Sequence, residues 1–243
     1  MTSPDPEHDL LTSEAETGGA PQHGDRGDTL LPPPRDGEPG GLTIALSREA
    51  GSHGGSIALR VGRKLGWPVY NQELLEYLSQ EVSLRDNLMH GLSPTAARWA
   101  EQRLDQLLRE QNLSQNPAVM NLARVVLALG AQGDVIMVGR GAGCILPPAV
   151  MLHVRTIAPL ADRVAYMSQW LRLTVEEAAE QVRLRDQKRA EFVATHFHRQ
   201  PHDPYQYDLL LNSSLLGEEL CADLIIQAVR AKSALRAGKM APT

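Results

Sequence analysis

Residues 42–66, LTIALSREAGSHGGSIALRVGRKLG, decide how the rest of the chain is read. The apolar run LTIAL lies between Gly41 and a Ser/Gly-rich loop, as expected of a strand buried in a parallel sheet. After the loop, Ile57, Ala58, Val61 and Leu65 recur at helical spacing, and Gly66 ends the helix. A strand, a glycine loop and a helix N-terminus bring backbone N–H groups to one point, where they favour an anion. The full phosphate-loop pattern, G-x-x-x-x-G-K-[ST], adds a lysine for the phosphates and a hydroxyl for Mg²⁺. Here Gly54 stands in place of the lysine and His53 in place of a glycine, while Ser56 keeps a hydroxyl. Alone, the loop reads equally well as an anion site or as a flexible turn. Its glycine content exceeds what a turn requires, and Arg48 beside it offers positive charge from another direction.

The 243 residues, 42% hydrophobic but only 4% aromatic, suffice for one aliphatic core with a small lid. No apolar run approaches the roughly 20 residues of a membrane span, and no secretory signal pattern opens the chain. Cys144 and Cys221 have no metal-ligand spacing, so a cytoplasmic protein with reduced thiols is expected. Residues 1–41 hold nine acids, two bases, seven prolines and seven glycines, and are expected to form a disordered acidic tail. The globular part is then nearly neutral. It has no block of bases suited to nucleic acid.

Outward from the loop, strands and helices alternate. WPVY (67–70), DVIMV (134–138), MLHVRTI (151–157) and YDLLLNS (207–213) read as strands. Leu74, Leu75, Leu78 and Val82 mark one helix. Ser93-Pro94 and Asn116-Pro117 open two more, and Thr174 with Glu177 forms a capping box at the head of a long charged helix. A last helix carries Leu220, Leu224, Ile225, Ala228 and Val229. This alternation implies a parallel sheet covered on both faces. The folded domain is expected over residues 42–233, with a disordered tail over 234–243.

Four segments, LSREAGSHGGSIALRVGRKLGWPVYNQELL, VIMVGRGAGCIL, LHVRTIAPLADRVAYM and the stretch from RLRDQKR to CADLI, occur in an order and at a spacing that resemble the cytidylate kinase-like family. That family is a branch of the P-loop nucleoside monophosphate (NMP) kinases. The resemblance covers about residues 42–232. It implies an α/β fold: a three-layer parallel sheet of the P-loop NTPase type flanked by helices, with helical NMP-binding and lid segments. It implies transfer of the γ-phosphoryl group of ATP, with Mg²⁺, to a pyrimidine monophosphate, CMP or dCMP first. The branch lacks the lysine, so Gly54 is a trait of the family. His53, Ser56 and Asn71, which stands where aspartate is usual, are departures of this chain.

By resemblance, Ser47, Arg48, Gly51, Ser52, His53, Gly54, Gly55 and Ser56 hold ATP, with Ser56 also facing the metal. Arg140, at the end of the DVIMV strand, grips the acceptor phosphate, for which a planar fork is suited. Arg185 and Arg189 serve the transferring group from the lid, with Arg183 and Arg163 on the substrate side. The same charge run also reads as a solvated helix face, with Asp186 pairing its neighbours. His196, His198 and His202 read as a polar lid loop rather than a metal site. Small-molecule nucleotides are the expected partners, and a homodimer stays open through the thin apolar stripe at 93–113. A second function stays open beside transfer: a nucleotide-binding regulator that has lost catalysis.

Overall fold

The protein is described by a computed structural model over residues 41–240. Apart from Gly41, the expected acidic tail lies outside the described residues, as do residues 241–243. Among the described residues, β1 (Thr43–Arg48), β2 (Val69–Tyr70), β3 (Val135–Val138), β4 (Met151–Ile157) and β5 (Leu209–Asn212) form one sheet in the order β2-β3-β1-β4-β5. Every pairing is parallel. The strand that leads into the glycine loop is therefore central, with β3 on one side and β4 on the other.

Side chains alternate across a strand, so β1 faces two different layers. Ile44 and Leu46 join Ile136, Val138, Leu152 and Val154 in the main core. Against them pack Ile57, Ala58 and Val61 of α1 (Gly54–Leu65), and Cys221, Ala222, Ile225 and Val229 of α9 (Ser213–Met240). Each fully buried Ile, Leu or Val side chain in this core contributes about 1.5–3 kcal/mol. The other face meets α5 (Pro117–Gln132) and the short α6 (Ala142–Ile145). Helices α2 (Gln72–Gln80), α3 (Val82–His90) and α4 (Pro94–Arg109) pack on α5. Helices α7 (Leu160–Leu171) and α8 (Val175–Phe197) form a hairpin with a small core of Val164, Met167, Ala178 and Val182, closed by Ala50 of the glycine loop.

The capping signals act as their chemistry dictates. Ser93 Oγ accepts from the Ala96 N–H, Asn116 Oδ1 from that of Ala118, and Thr174 and Glu177 satisfy each other's N–H groups. Two helical expectations need correction. The helix expected through Val82 is broken at Glu81, whose extended backbone (ψ 105°) separates α2 from α3. Asn71 caps α2, and Val82 is exposed, so no apolar stripe carries the helix on. At the other end, α9 continues through Met240, past the expected boundary at 233. Ala231, Ala234 and Ala237 give that stretch high helix propensity. Helix α9 also bends at Gly217 (φ 73°, ψ 163°), which turns Glu218 back toward α1.

Candidate active site

The loop from Glu49 to His53 leaves the carboxyl end of β1, where ligands of parallel sheets bind. Gly51 has φ 80°, and a Cβ there would stand 2.6 Å from the Arg163 carbonyl oxygen. Glycine is required on both counts. Ser52 is fully buried, its hydroxyl 2.9 Å from the Glu49 carbonyl oxygen and 2.9 Å from the Thr156 hydroxyl, which ties the loop to β4. His53 takes the left-handed conformation (φ 56°) at the N-cap of α1. Its carbonyl accepts from the Ile57 N–H and from the Ser56 hydroxyl, both at 3.0 Å. The Gly54, Gly55 and Ser56 N–H groups precede the first bond of the helix ladder, the arrangement that receives an anion.

The missing lysine has a spatial explanation. A Cβ on Gly54 would stand 2.7 Å from Arg48 Cβ and 2.8 Å from Thr156 Oγ1. The Arg48 side chain fills that space and runs on until its Nη1 lies 2.9 Å from where a Cβ on Gly139 would be. A nearly buried guanidinium thus links the glycine loop to the loop after β3.

Helix α8 is seated on the glycine loop by Asp186. Its carboxylate accepts from the Ala50 N–H at 2.7 Å and from Arg163 Nη1 at 2.5 Å. Arg163 also donates to the Ala158 and Ala50 carbonyls and lies 3.5 Å from Glu49. Its side chain is nearly buried and held by protein acceptors. Arg189 Nη1 lies 4.0 Å from Asp186. Arg185 is half-buried on the same helix. Arg183 is exposed and pairs with Glu180 and Gln187 along the helix surface.

On the β3 side, Gly139, Arg140 and Gly141 all have positive φ, which turns the chain sharply beside Arg48. Arg140 ion-pairs with Glu76 of α2, and its guanidinium lies 5.0 Å from the centre of the Phe192 ring of α8. Arg140 thus touches both α2 and α8. A side chain at Gly141 would run into the Phe197 ring. Ser114, between α4 and α5, donates its N–H to the His196 carbonyl at 2.8 Å.

Ser47 points to the other face of β1. Its hydroxyl lies 3.2 Å from His153 Nε2. The Nδ1–H of His153 donates to the Gln206 carbonyl at 2.8 Å, so Nε2 accepts from Ser47. Burial lowers the His153 pKa to about 4. Asp208 accepts from the His153 N–H and pairs with Lys232, which fixes the end of the lid loop to β4.

The sequence of these parts along the chain is that of a known family: residues 43–215 match the model of the cytidylate kinase-like family. The chain belongs to that family. An uncharacterized protein from Eubacterium ventriosum ATCC 27560 has a similar crystal structure, with a TM-score of 0.55 and 19% identity over 78% of this chain and 98% of that one. A shikimate kinase from Bacteroides thetaiotaomicron aligns over the same shares at 13% identity and a TM-score of 0.44. A curated protein of Corynebacterium glutamicum, a uronate isomerase, is 33% identical over 98 residues. That match covers 40% of this chain and 19% of the relative, so the chain spans about a fifth of its length.

Against the sequence expectations, the cytidylate kinase-like fold gathers Arg48, Gly51, Ser52, His53, Gly54, Gly55 and Ser56 at one loop. Arg163 and α8 lie against it, and Arg140 is one strand away. Ser47 lies on the opposite sheet face and Arg183 on the solvent side of α8. Glu49, Glu76 and Phe192 organise the site and were not singled out from the sequence; Asp186 was read only as a partner of neighbouring bases on its helix, whereas it holds the Ala50 N–H and Arg163. Glu49 had a signal in the Ser-Arg-Glu run, and Asp186 in its place within RLRDQKR. Among the described residues, no group of three His, Cys, Asp or Glu side chains is placed to hold a metal ion. No described helix is long and apolar enough to cross a membrane.

Proposed function

We propose that the protein transfers the γ-phosphoryl group of ATP to a nucleoside monophosphate, with CMP and dCMP as the leading acceptors. The observation that carries this reading is the seating of α8 on the glycine loop through Asp186, with Arg140 one strand away. Phosphoryl transfer needs positioning and charge neutralisation more than covalent chemistry from the protein. A central anion loop, a basic lid helix and an arginine at the neighbouring strand end supply those parts.

The residues fit the implied ligands. The first-turn N–H groups of α1 would hold ATP phosphates, and Ser56 would give Mg²⁺ an oxygen beside them. Mg²⁺ in such sites takes few protein ligands and relies on phosphate oxygens. Arg140 would bind the acceptor phosphate, and Arg185 and Arg189 would act on the transferring group. Arg163, committed to Asp186 and two carbonyls, would position the loop.

A second reading, a nucleotide-binding regulator without transfer, is favoured by one observation. The Asp186 carboxylate already satisfies both Arg163 and a loop N–H. An ADP-release assay across CMP, dCMP, UMP, AMP and GMP, run beside calorimetric titration of ATP–Mg²⁺, separates the two. Acceptor-dependent ADP release is the expected result. ATP binding without it establishes the regulator, and no binding at millimolar ATP removes both.

A further inference from the structure

The helices α7 and α8 and the loop after them leave the sheet at β4 and return to it at β5, so this lid segment is tied to the sheet at two ends. Asp186 of α8 holds the outgoing end, through the Ala50 N–H and Arg163. The returning end is held by β4. Alternation along a strand puts His153 and Arg155 on one face of it. His153 bonds the Gln206 carbonyl at 2.8 Å. Arg155 Nη1 donates to the Tyr207 hydroxyl at 3.4 Å, and its guanidinium carbon lies 5.6 Å from the centre of the Tyr207 ring. Tyr207 donates in turn to the Pro201 carbonyl at 2.8 Å, which holds the loop before it.

Glu49 of the glycine loop meets both ends. Its Oε2 lies 3.5 Å from Arg163 Nε and accepts from the Ala158 N–H at 3.2 Å, while Oε1 lies 3.8 Å from Arg155 Nη2. Its backbone is committed as well. The N–H donates to the Thr156 carbonyl at 3.1 Å, and the carbonyl accepts from the Ser52 hydroxyl at 2.9 Å. The carboxylate is therefore fixed in place, and it is an anion that the two guanidiniums share. The side chains of Arg155 and Arg163 are only 8% and 11% exposed, so water and salt screen these charges little. In such a setting the loss of one partner leaves the others uncompensated.

We infer that Glu49 is a positioning residue that couples the two ends of the lid. Through Arg163 it seats α8 on the glycine loop, and through Arg155 it seats the returning chain at Tyr207, so the two ends order together. The effect on rate rests on the proposed phosphoryl-transfer reading; the effect on the lid rests on the ion pairs alone.

The test uses the full chain and Glu49→Gln, which keeps the shape and an oxygen for the Ala158 N–H while removing the shared charge. Amide hydrogen exchange, read by mass spectrometry, is expected to quicken about tenfold both in residues 183–190 of α8 and in residues 198–208, and to stay unchanged in α5. Tyr207→Phe should quicken exchange in 183–190 as well as in its own loop, and should add nothing in the Glu49→Gln background. The kcat of Glu49→Gln should fall about tenfold with the Kd for ATP unchanged. Faster exchange at one end only, or at neither, would overturn the inference. So would a uniform rise over every helix with an equal loss of ATP affinity, because the residue would then be structural. If Glu49→Gln does not fold, Tyr207→Phe decides alone, and faster exchange confined to 198–208 counts against the coupling. A wild-type protein without acceptor-dependent turnover would remove the transfer reading, and the exchange pattern would still decide whether Glu49 joins the two ends.

Discussion

At Gly54, the position of the absent lysine, the neighbours decide what substitution does. Thr156 is fully buried and bonded to Ser52, and Arg48 is nearly buried, so neither yields cheaply to a new Cβ. Gly54→Ala is expected to cost about 1–3 kcal/mol by overpacking, and Gly54→Lys at least as much, with no gain in turnover. Thermal melts and kcat for both variants check this. A faster Gly54→Lys enzyme would mean that the loop is a damaged phosphate motif rather than one built around Arg48. His153 makes a different prediction. Burial lowers its pKa from the usual 6.5 to about 4, so the folded state holds it neutral. Between those values the unfolded chain binds the proton and the fold does not. Stability from this residue is therefore complete above about pH 6.5 and is lost as pH falls toward 4, at up to about 1.4 kcal/mol per pH unit. Urea unfolding from pH 7 to 4 should show a steeper decline in wild type than in His153→Gln, and parallel curves would contradict a neutral, buried imidazole.

Among the elements, α8 has two kinds of attachment that should fail differently. Thr174→Ala removes a capping bond at its solvent end and should cost about 1 kcal/mol of stability with little change in kcat. Asp186→Asn leaves an acceptor for the Ala50 N–H but removes the charge facing Arg163. It should lose roughly 1.5–3 kcal/mol and alter kcat and KM together, because the helix that closes over the loop is no longer seated. Denaturation and steady-state kinetics on the two variants separate the roles. Elements of this kind were legible where a local signal specified them. MLHVRTI is β4 to the residue, Gly66 ends α1, and the Ser93, Asn116 and Thr174 caps stand as read. What was not legible was set by distance in the chain or by a missing signal. Asp186 meets Ala50 across 136 residues, and no spacing rule reaches that far. The four-residue α6 has no cap or stripe of its own and forms where its Gly143 fits against the His153 ring. For the same reason the strand, loop and helix around the glycines were legible while the direction of Arg48 was not.

Over the whole molecule, the arginines divide between two sides of the central strand, and that division predicts two kinetic signatures. Arg140 follows β3 and is held by Glu76 and Phe192. Arg185 and Arg189 ride on α8, which reaches the loop from the β4 side. If Arg140 grips the acceptor phosphate, it contacts charge that changes little during transfer, so Arg140→Ala should chiefly raise the acceptor KM. Since an acceptor must compete with Glu76 for the guanidinium, Glu76→Gln should lower that KM. The opposite signs in one pair of residues exclude a general loosening of the fold, which would raise KM in both. Arg185→Ala should instead lower kcat, because a lid arginine counts most when charge spreads over the transferring oxygens. One such contact is worth about 3 kcal/mol, or roughly a hundredfold in rate. Initial-rate kinetics with acceptor and ATP varied separately, and melting temperatures to confirm folding, give all the needed constants. Small, equal effects of Arg140→Ala and Arg185→Ala on every constant would show that neither side chain contacts a substrate. A rise in acceptor KM for Glu76→Gln would show that the carboxylate helps to hold the acceptor rather than competing with it, and the assignment of Arg140 to the phosphate would fall with it.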